Sequence, residues 1–339
     1  MLELNKPLLL QALSNKFGFV VIDAVYETEL LQGGDVGEVN KISGEAVTAD
    51  AGMVFSLVFK NQKKWERHGD PECWRREYEI YRHGLDKKIL GKTLMFPQCY
   101  LLNESSDATQ IWMEYIEGKT SEKDLHAPEL SLAAQKLGEL QAEFHRTGQH
   151  NLPFLRKYPA VCSSFDLWYG RVKDLLGSGI DGLPEDIGLI LNSYAGKADE
   201  IFASFSKLPV TLCQGDFYHD NLIFRESSAG TNIYVIDWDC AGYGYMGEDA
   251  VDLLLESFVY SDRDVALLPE YKQRIISSYL RGVQSGGVEF SMNDDLVRDI
   301  FALAWGFRIV DHYLYYLQNK DEQARMRCLA IIQAMLLGG

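Results

Sequence analysis

Near residues 115–120 the spacing of apolar residues changes, and that change decides what the chain can fold into. Before it, short runs alternate with a period of two at Thr28–Gln32, Glu38–Ile42 and Val54–Lys60, divided by glycine-rich turns. TLMFPQCYLL and TQIWMEYIEG read as two more strands around the turn NESSDA. One helix interrupts them, because Trp74, Tyr78 and Tyr81 recur at i, i+4 and i+7. After Gly118 the period is helical. LSLAAQKLGELQAEFH puts Leu137, Leu140 and Phe144 on one stripe, and further helices are expected over 163–177, 186–206, 265–284, 294–318 and 321–337. The strand-like island in this half is Thr211–Asp237. Strands first and helices after describe an α+β chain. Its small sheet-rich part is expected over residues 1–117 and its larger, mostly helical part over 118–339.

At 339 residues the chain exceeds the usual size of a single core, which supports a division in two. Its net charge of −16 argues against nucleic acid and anionic membrane as partners. The six cysteines are scattered, with no Cys-x-x-Cys, as expected of reduced thiols rather than a disulfide framework. The apolar stretch in MLELNKPLLLQALSNKFG is short and interrupted for a signal peptide, and IFALAWGF stops at Arg308. A cytoplasmic location is the expectation.

The most informative stretch is CQGDFYHDNLIF, residues 213–224. On an α-helix Asp216 and Asn221 would be rotated by about 500° and point about 140° apart. A loop can aim both at one point. LIF, the turn-rich RESSAGTN and IYVIDWD then read as a β-hairpin that returns Asp237 towards Asn221. Asp and Asn oxygens suit Mg²⁺, which fills the rest of its shell with water and phosphate. A further aspartate, Asp216, can take the proton of an attacking hydroxyl.

The sheet-rich half supplies matching parts. LLQGGDVGEVN places Gly33, Gly34 and Gly37 between two strands, where backbone amides could approach phosphates. VFSLVFK ends on Lys60, which could reach phosphate oxygens if a carboxylate holds it. Glu77 and Glu79 are both available for that, and Glu77 is preferred.

With these residues in order, the chain resembles the aminoglycoside phosphotransferase and choline kinase family of small-molecule kinases, over nearly its whole length. LCQGDFYHDNLIF and YVIDWDCAGYGYMGEDAVDLL carry most of the likeness. The resemblance implies a bilobal protein-kinase-like fold, with ATP or GTP and Mg²⁺ as cofactors. It implies Asp216 as the residue that orients or deprotonates the substrate hydroxyl, and Asn221 and Asp237 as the metal ligands. Lys60 paired with Glu77 would hold the phosphates. Glu114, Tyr115 and Ile116 would form the hinge that pairs the nucleobase, and Asp252 would support the loop from behind. One departure is Gln214, where the family usually has histidine; its amide can still donate and accept.

The expected acceptor is a small hydroxyl-bearing molecule. Aminoglycoside-type antibiotics lead, with choline-like amino alcohols next and macrolide-like, sugar or other metabolite acceptors open. Candidate contacts are His219 and the acids Asp239, Glu248, Asp249, Glu256 and Asp311. The rival from another class is a nucleotide-binding regulatory protein without transfer activity.

Overall fold

The computed structural model describes residues 4–31, 37–49, 51–67, 69–88, 93–148, 151–228 and 230–337. They form two compact units, the first of Met1–Gly118 with Ile223–Asp239, the second of Lys119–Leu222 with Cys240–Gly339.

The chain opens with a helix, α1 (Lys6–Phe17), where the sequence suggested only an apolar stretch. Asn5 caps it by accepting from Leu8 N at 3.2 Å, Pro7 sits in its first turn, and Gly18 ends it in the left-handed conformation. Strands β1 (Asp23–Leu30), β2 (Gly37–Val47) and β3 (Gly52–Lys63) follow as an antiparallel meander. Helices α2 (Cys73–Arg82) and α3 (Leu85–Lys88) precede β4 (Cys99–Glu104) and β5 (Ala108–Glu114). The five strands lie in the order β1-β2-β3-β5-β4, so β3 is central. Lys60 is there, opposite Val39 of β2 and Ile111 of β5. Leu9, Leu13, Ile42, Phe55, Leu57 and Trp112 belong to the core between α1 and the sheet.

The second unit begins with α4 (Ala127–Thr147), α5 (Ala160–Ser178), α6 (Glu185–Gly196) and α7 (Ala198–Phe205). The helix expected over 186–206 therefore breaks at Lys197, whose φ of −110° is not helical. After β6 (Val210–Cys213) the chain leaves for the first unit as a hairpin, β7 (Leu222–Ser227) and β8 (Gly230–Val235). Met95 fastens that hairpin to the first unit: Met95 N donates to Ile233 O and Val235 N donates to Met95 O, both at 2.9 Å. Phe96 stacks on Trp238 at 4.6 Å.

Returning, the chain forms β9 (Gly242–Tyr245), antiparallel to β6. Its sequence, GYGY, has no strand signature, and only pairing makes it one. Then come α8 (Glu248–Val259), α9 (Leu268–Ser285), α10 (Asp294–Phe301), α11 (Phe307–Gln318) and α12 (Glu322–Leu336). A π-helical turn, Ala302–Gly306, joins α10 to α11 within the run expected as one helix. No described helix is long and apolar enough to cross a membrane.

Helices α4 and α9 touch backbone to backbone. A Cβ on Gly282 would come 2.0 Å from Gln135 O, and one on Gly138 2.3 Å from Tyr279 O. Glycine is thus a packing requirement at this crossing. Gly282→Ala would gain helix propensity, yet it is expected to destabilise by about 1–3 kcal/mol through overpacking. A fall in the urea midpoint at unchanged m is the expected readout.

Candidate active site

In the first unit one ammonium serves two carboxylates. Lys60 Nζ lies 2.6 Å from Glu77 Oε2 on α2 and 2.5 Å from Asp237 Oδ1, just beyond β8. Glu79, the other sequence candidate, pairs instead with Arg75 at 2.7 Å. Burial alone would favour loss of the Lys60 proton. The charges of Asp237, Glu77 and Asp239 outweigh it and hold the ammonium above its ordinary range. Burial pushes the Glu77 carboxyl up, against the pull of Lys60.

Asp237 has φ 58°, a left-handed conformation uncommon for a residue with a side chain. Such a conformation persists where its surroundings over-determine it. Trp238 Nε1 donates to Val235 O at 3.1 Å from a buried position. Arg76, only 2% exposed, donates to Asp239 O at 2.5 Å and grips Asp70 through both terminal nitrogens at 2.7 and 2.5 Å. Arg67 reaches the Asp239 carboxylate at 3.2 Å. Sequence reasoning did not single out Arg76 or Asp70. Their one signal is an arginine within a helix and an aspartate just ahead of it; that helix buries eight of its ten residues, and burial is not visible in the sequence.

In the second unit the loop after β6 is held from behind. Asp249, fully buried on α8, accepts from Gln214 N at 2.9 Å and Gly215 N at 3.0 Å. Gln141 Nε2 adds a third donor at 3.0 Å, and Tyr279 Oη donates to Gln141 Oε1 at 2.6 Å. Gly215 takes φ 81°, and a Cβ there would lie 2.7 Å from Cys240 O. Gln214 Oε1 accepts from Asp216 N at 2.7 Å, so the amide replacing the family's histidine does fix the aspartate's backbone. Asn221 Nδ2 donates to Asp216 O at 2.8 Å and to its carboxylate at 3.1 Å. Both bonds use the nitrogen, which leaves the amide oxygen as the atom that can face a cation.

The other sequence candidates have different surroundings. Asp249 is the support behind the loop, a place the sequence reading gave to Asp252. Asp252 instead accepts from Trp305 Nε1 at 2.8 Å. Glu248 accepts from Tyr245 N at 2.7 Å and Val161 N at 3.0 Å. Asp239 faces Arg67, and Asp311 faces Arg171 at 3.5 Å. His219 is buried in the short turn His219–Asn221, its Nε2 3.5 Å from Asp220. Glu256 is buried 3.6 Å from Arg308.

Gly37 opens β2, while Gly33 and Gly34 lie outside the described residues. Glu114 ends β5, with its N–H on Gln98 O at 2.8 Å and its carboxylate 3.3 Å from Arg225. Tyr115 has Lys41 Nζ 4.2 Å from its ring centre, and Ile116 is buried. Among the described residues no three His, Cys, Asp or Glu side chains gather as a metal site. Mg²⁺ held by one or two protein oxygens plus phosphate does not need such a group, and the Asp237 carboxylate and Asn221 amide are oxygen donors of the right hardness.

Comparison with known proteins bears on the family and the fold. The model of a family described as the phosphotransferase enzyme family matches residues 67–282. No curated protein matches in sequence. Among solved structures, a microcompartment-associated aminopropanol kinase superposes with TM-score 0.58 at 14% identity, covering 98% of each chain. The GDP complex of wild-type aminoglycoside 2'-phosphotransferase-IIIa gives 0.52 at 15%, covering 98% of this chain and 99% of that one. Choline kinase from Cryptosporidium parvum gives 0.52 at 14%, covering 91% and 93%. At such identities these likenesses establish the α+β fold, sheet-rich first and helical after.

Arg76→Met leaves Asp70 buried without its counter-charge. It is expected to cost about 3–5 kcal/mol of stability, read by urea unfolding.

Burial pushes Glu248 up to about 7, and burial with the charge of Asp252 pushes Asp249 up to about 8. In the unfolded chain both titrate near 4. Between pH 9 and 7 the folded state therefore binds more protons, and stability is expected to rise as pH falls. Further down, His312, pushed to about 4 mainly by burial, opposes the trend once the unfolded histidine protonates below about 6.5. A urea midpoint that is flat or falls from pH 9 to 7 contradicts this assignment.

Proposed function

We infer the reaction from one premise: the chain belongs to the phosphotransferase enzyme family. We propose that it is a kinase that moves the γ-phosphoryl of ATP or GTP to a hydroxyl of a small molecule. The observation that carries this reading is the bonding of Asn221, whose nitrogen fixes Asp216 and whose oxygen is left for a cation.

In the proposed step the acceptor oxygen forms a bond to phosphorus as the bond to the nucleoside diphosphate breaks. The hydroxyl proton passes to the Asp216 carboxylate and then to water. Lys60, kept charged by Glu77 and Asp237, binds phosphate oxygens. Asp237 and Asn221 are the residues that would hold Mg²⁺ through their oxygens, and the ion would supply charge neutralisation on the phosphates. The hinge role of Glu114, Tyr115 and Ile116 and the phosphate-loop role of Gly33, Gly34 and Gly37 belong to the same proposal.

The acceptor class we favour is cationic, of aminoglycoside or amino-alcohol type. The second unit has a cleft of about 660 Å³ lined by three carboxylates, Glu122, Asp262 and Asp321, against one guanidinium, Arg327, together with Tyr260 and Tyr316. That size is ordinary for a small-molecule site, and its carboxylates favour a cation.

Nucleotide consumption with Mg²⁺, with and without aminoglycosides or amino alcohols, tests the reading. Asp216→Asn is expected to lower acceptor-dependent turnover by ~10²-fold or more while nucleotide binding persists. Nucleotide binding without turnover for any acceptor would favour the regulatory alternative.

A further inference from the structure

Two walls of the 660 Å³ cleft come from segments far apart in the sequence. Glu122 lies on the segment ahead of α4, and Tyr260, Ser261 and Asp262 lie on the turn after α8. Arg263, next along that turn, joins the two. Its Nε donates to Ser257 O at 3.1 Å, near the end of α8. Its Nη1 donates to Tyr271 Oη on α9 at 2.5 Å. Its Nη2 crosses to the other wall and donates to Leu125 O at 3.0 Å and Glu122 O at 3.5 Å. Satisfying the carbonyls at a helix end explains the first of these bonds and not the crossing pair. Arg327 on α12 holds the turn in place, donating to Phe258 O at 3.0 and 2.6 Å and to Arg263 O at 2.5 Å.

The wall that Arg263 reaches is itself strained. Ser121 has φ 76°, a left-handed conformation that persists where its surroundings over-determine it. Asp124 N and Leu125 N fold back onto Ser121 O at 3.3 and 3.1 Å. The Glu122 carboxylate accepts from Asp262 N at 2.7 Å, so it too is tied to the opposite wall. Thr120 Oγ1 donates to His219 O at 3.5 Å, in the short turn that ends on Asn221. The same segment thus borders both the cleft and the loop of Asp216.

We propose that Arg263 is a positioning residue for the acceptor. It fixes the separation of Glu122 from the Tyr260–Asp262 turn, so acceptor affinity depends on it and nucleotide affinity does not. The inference rests on the kinase reading above and on the place given there to the acceptor. The planar fork of an arginine can serve acceptors in several directions at once. A lysine keeps the charge but has one nitrogen for the same task, and it cannot bridge both walls in this way.

The probes are kanamycin, 2-aminoethanol and 1-amino-2-propanol. Each is titrated calorimetrically into wild-type protein and Arg263→Lys, with Mg²⁺ and a non-hydrolysable nucleotide present. Arg263→Lys is expected to weaken the probe that binds wild type best by about ten-fold or more, the scale of a lost hydrogen bond from a charged group. Nucleotide affinity should change less than about two-fold. In a Glu122→Gln background the Arg263→Lys loss should shrink to about three-fold or less, because both substitutions act through one carboxylate. Tyr271→Phe removes one acceptor of Arg263 and carries the test if Arg263→Lys does not fold; about a three-fold loss of probe affinity is expected from it. A lower urea midpoint with probe affinity unchanged would make Arg263 a structural residue only and overturn the inference. Equal losses with and without Glu122, equal losses for probe and nucleotide, or no probe binding to nucleotide-loaded wild type also overturn it. Failure of the wild-type protein to bind nucleotide overturns the kinase reading instead.

Discussion

The loop that carries Asp216 depends on how the buried carboxyl group of Asp249 is satisfied. That carboxylate is shut away from water, and its compensation is three N–H donors, two of them consecutive backbone amides of the loop. Moving the loop would strand the carboxylate, so the loop stays. The restraint reaches outward through Gln141 on α4 and Tyr279 on α9, near the glycine crossing that lets those helices approach. Core packing and loop geometry are thus one problem in the second unit. A substitution at the helix crossing acts on the same polar chain that orients the aspartate.

The first unit solves a similar problem with the opposite sign. A lysine in the middle of a sheet would be costly alone, and Glu77 and Asp237 make it tolerable. Because Lys60 leans on both, helix α2 and the segment after β8 are fixed through a single atom, Nζ. Arg76 ties the same two segments a second time, from α2 to the carbonyl of Asp239. The redundancy explains how Asp237 keeps a backbone conformation that a lone residue would abandon.

Much of this was legible in the sequence, for identifiable reasons. The Asp216–Asn221 spacing fails on a helix, so it had to be a loop. Strand periodicity placed Lys60, and helical periodicity placed Glu77. What escaped depends on tertiary surroundings. Asp249 and Asp252 are equivalent in a sequence, and only the direction of each side chain assigns one to the loop and the other to Trp305. The acids thought to await a ligand looked alike, yet Glu248, Asp239 and Asp311 have protein partners. Strand β9 is invisible because glycine and tyrosine alternate there without an apolar face. The end of the first part also came out differently. Residues 223–239 rejoin the first unit through pairing with Met95, and no local pattern announces a contact made so far along the chain.

That late return has a consequence for the order in which the protein can be made. A ribosome that has released residue 118 has delivered the five-stranded sheet but not the hairpin that belongs with it. More than a hundred residues of the second unit must emerge before Asp237 is available to Lys60. Until then the lysine has Glu77 as its partner and no Asp237. The nascent first unit therefore waits, unfinished, through the synthesis of its neighbour, and a chain that stops anywhere between residues 119 and 236 can never complete it.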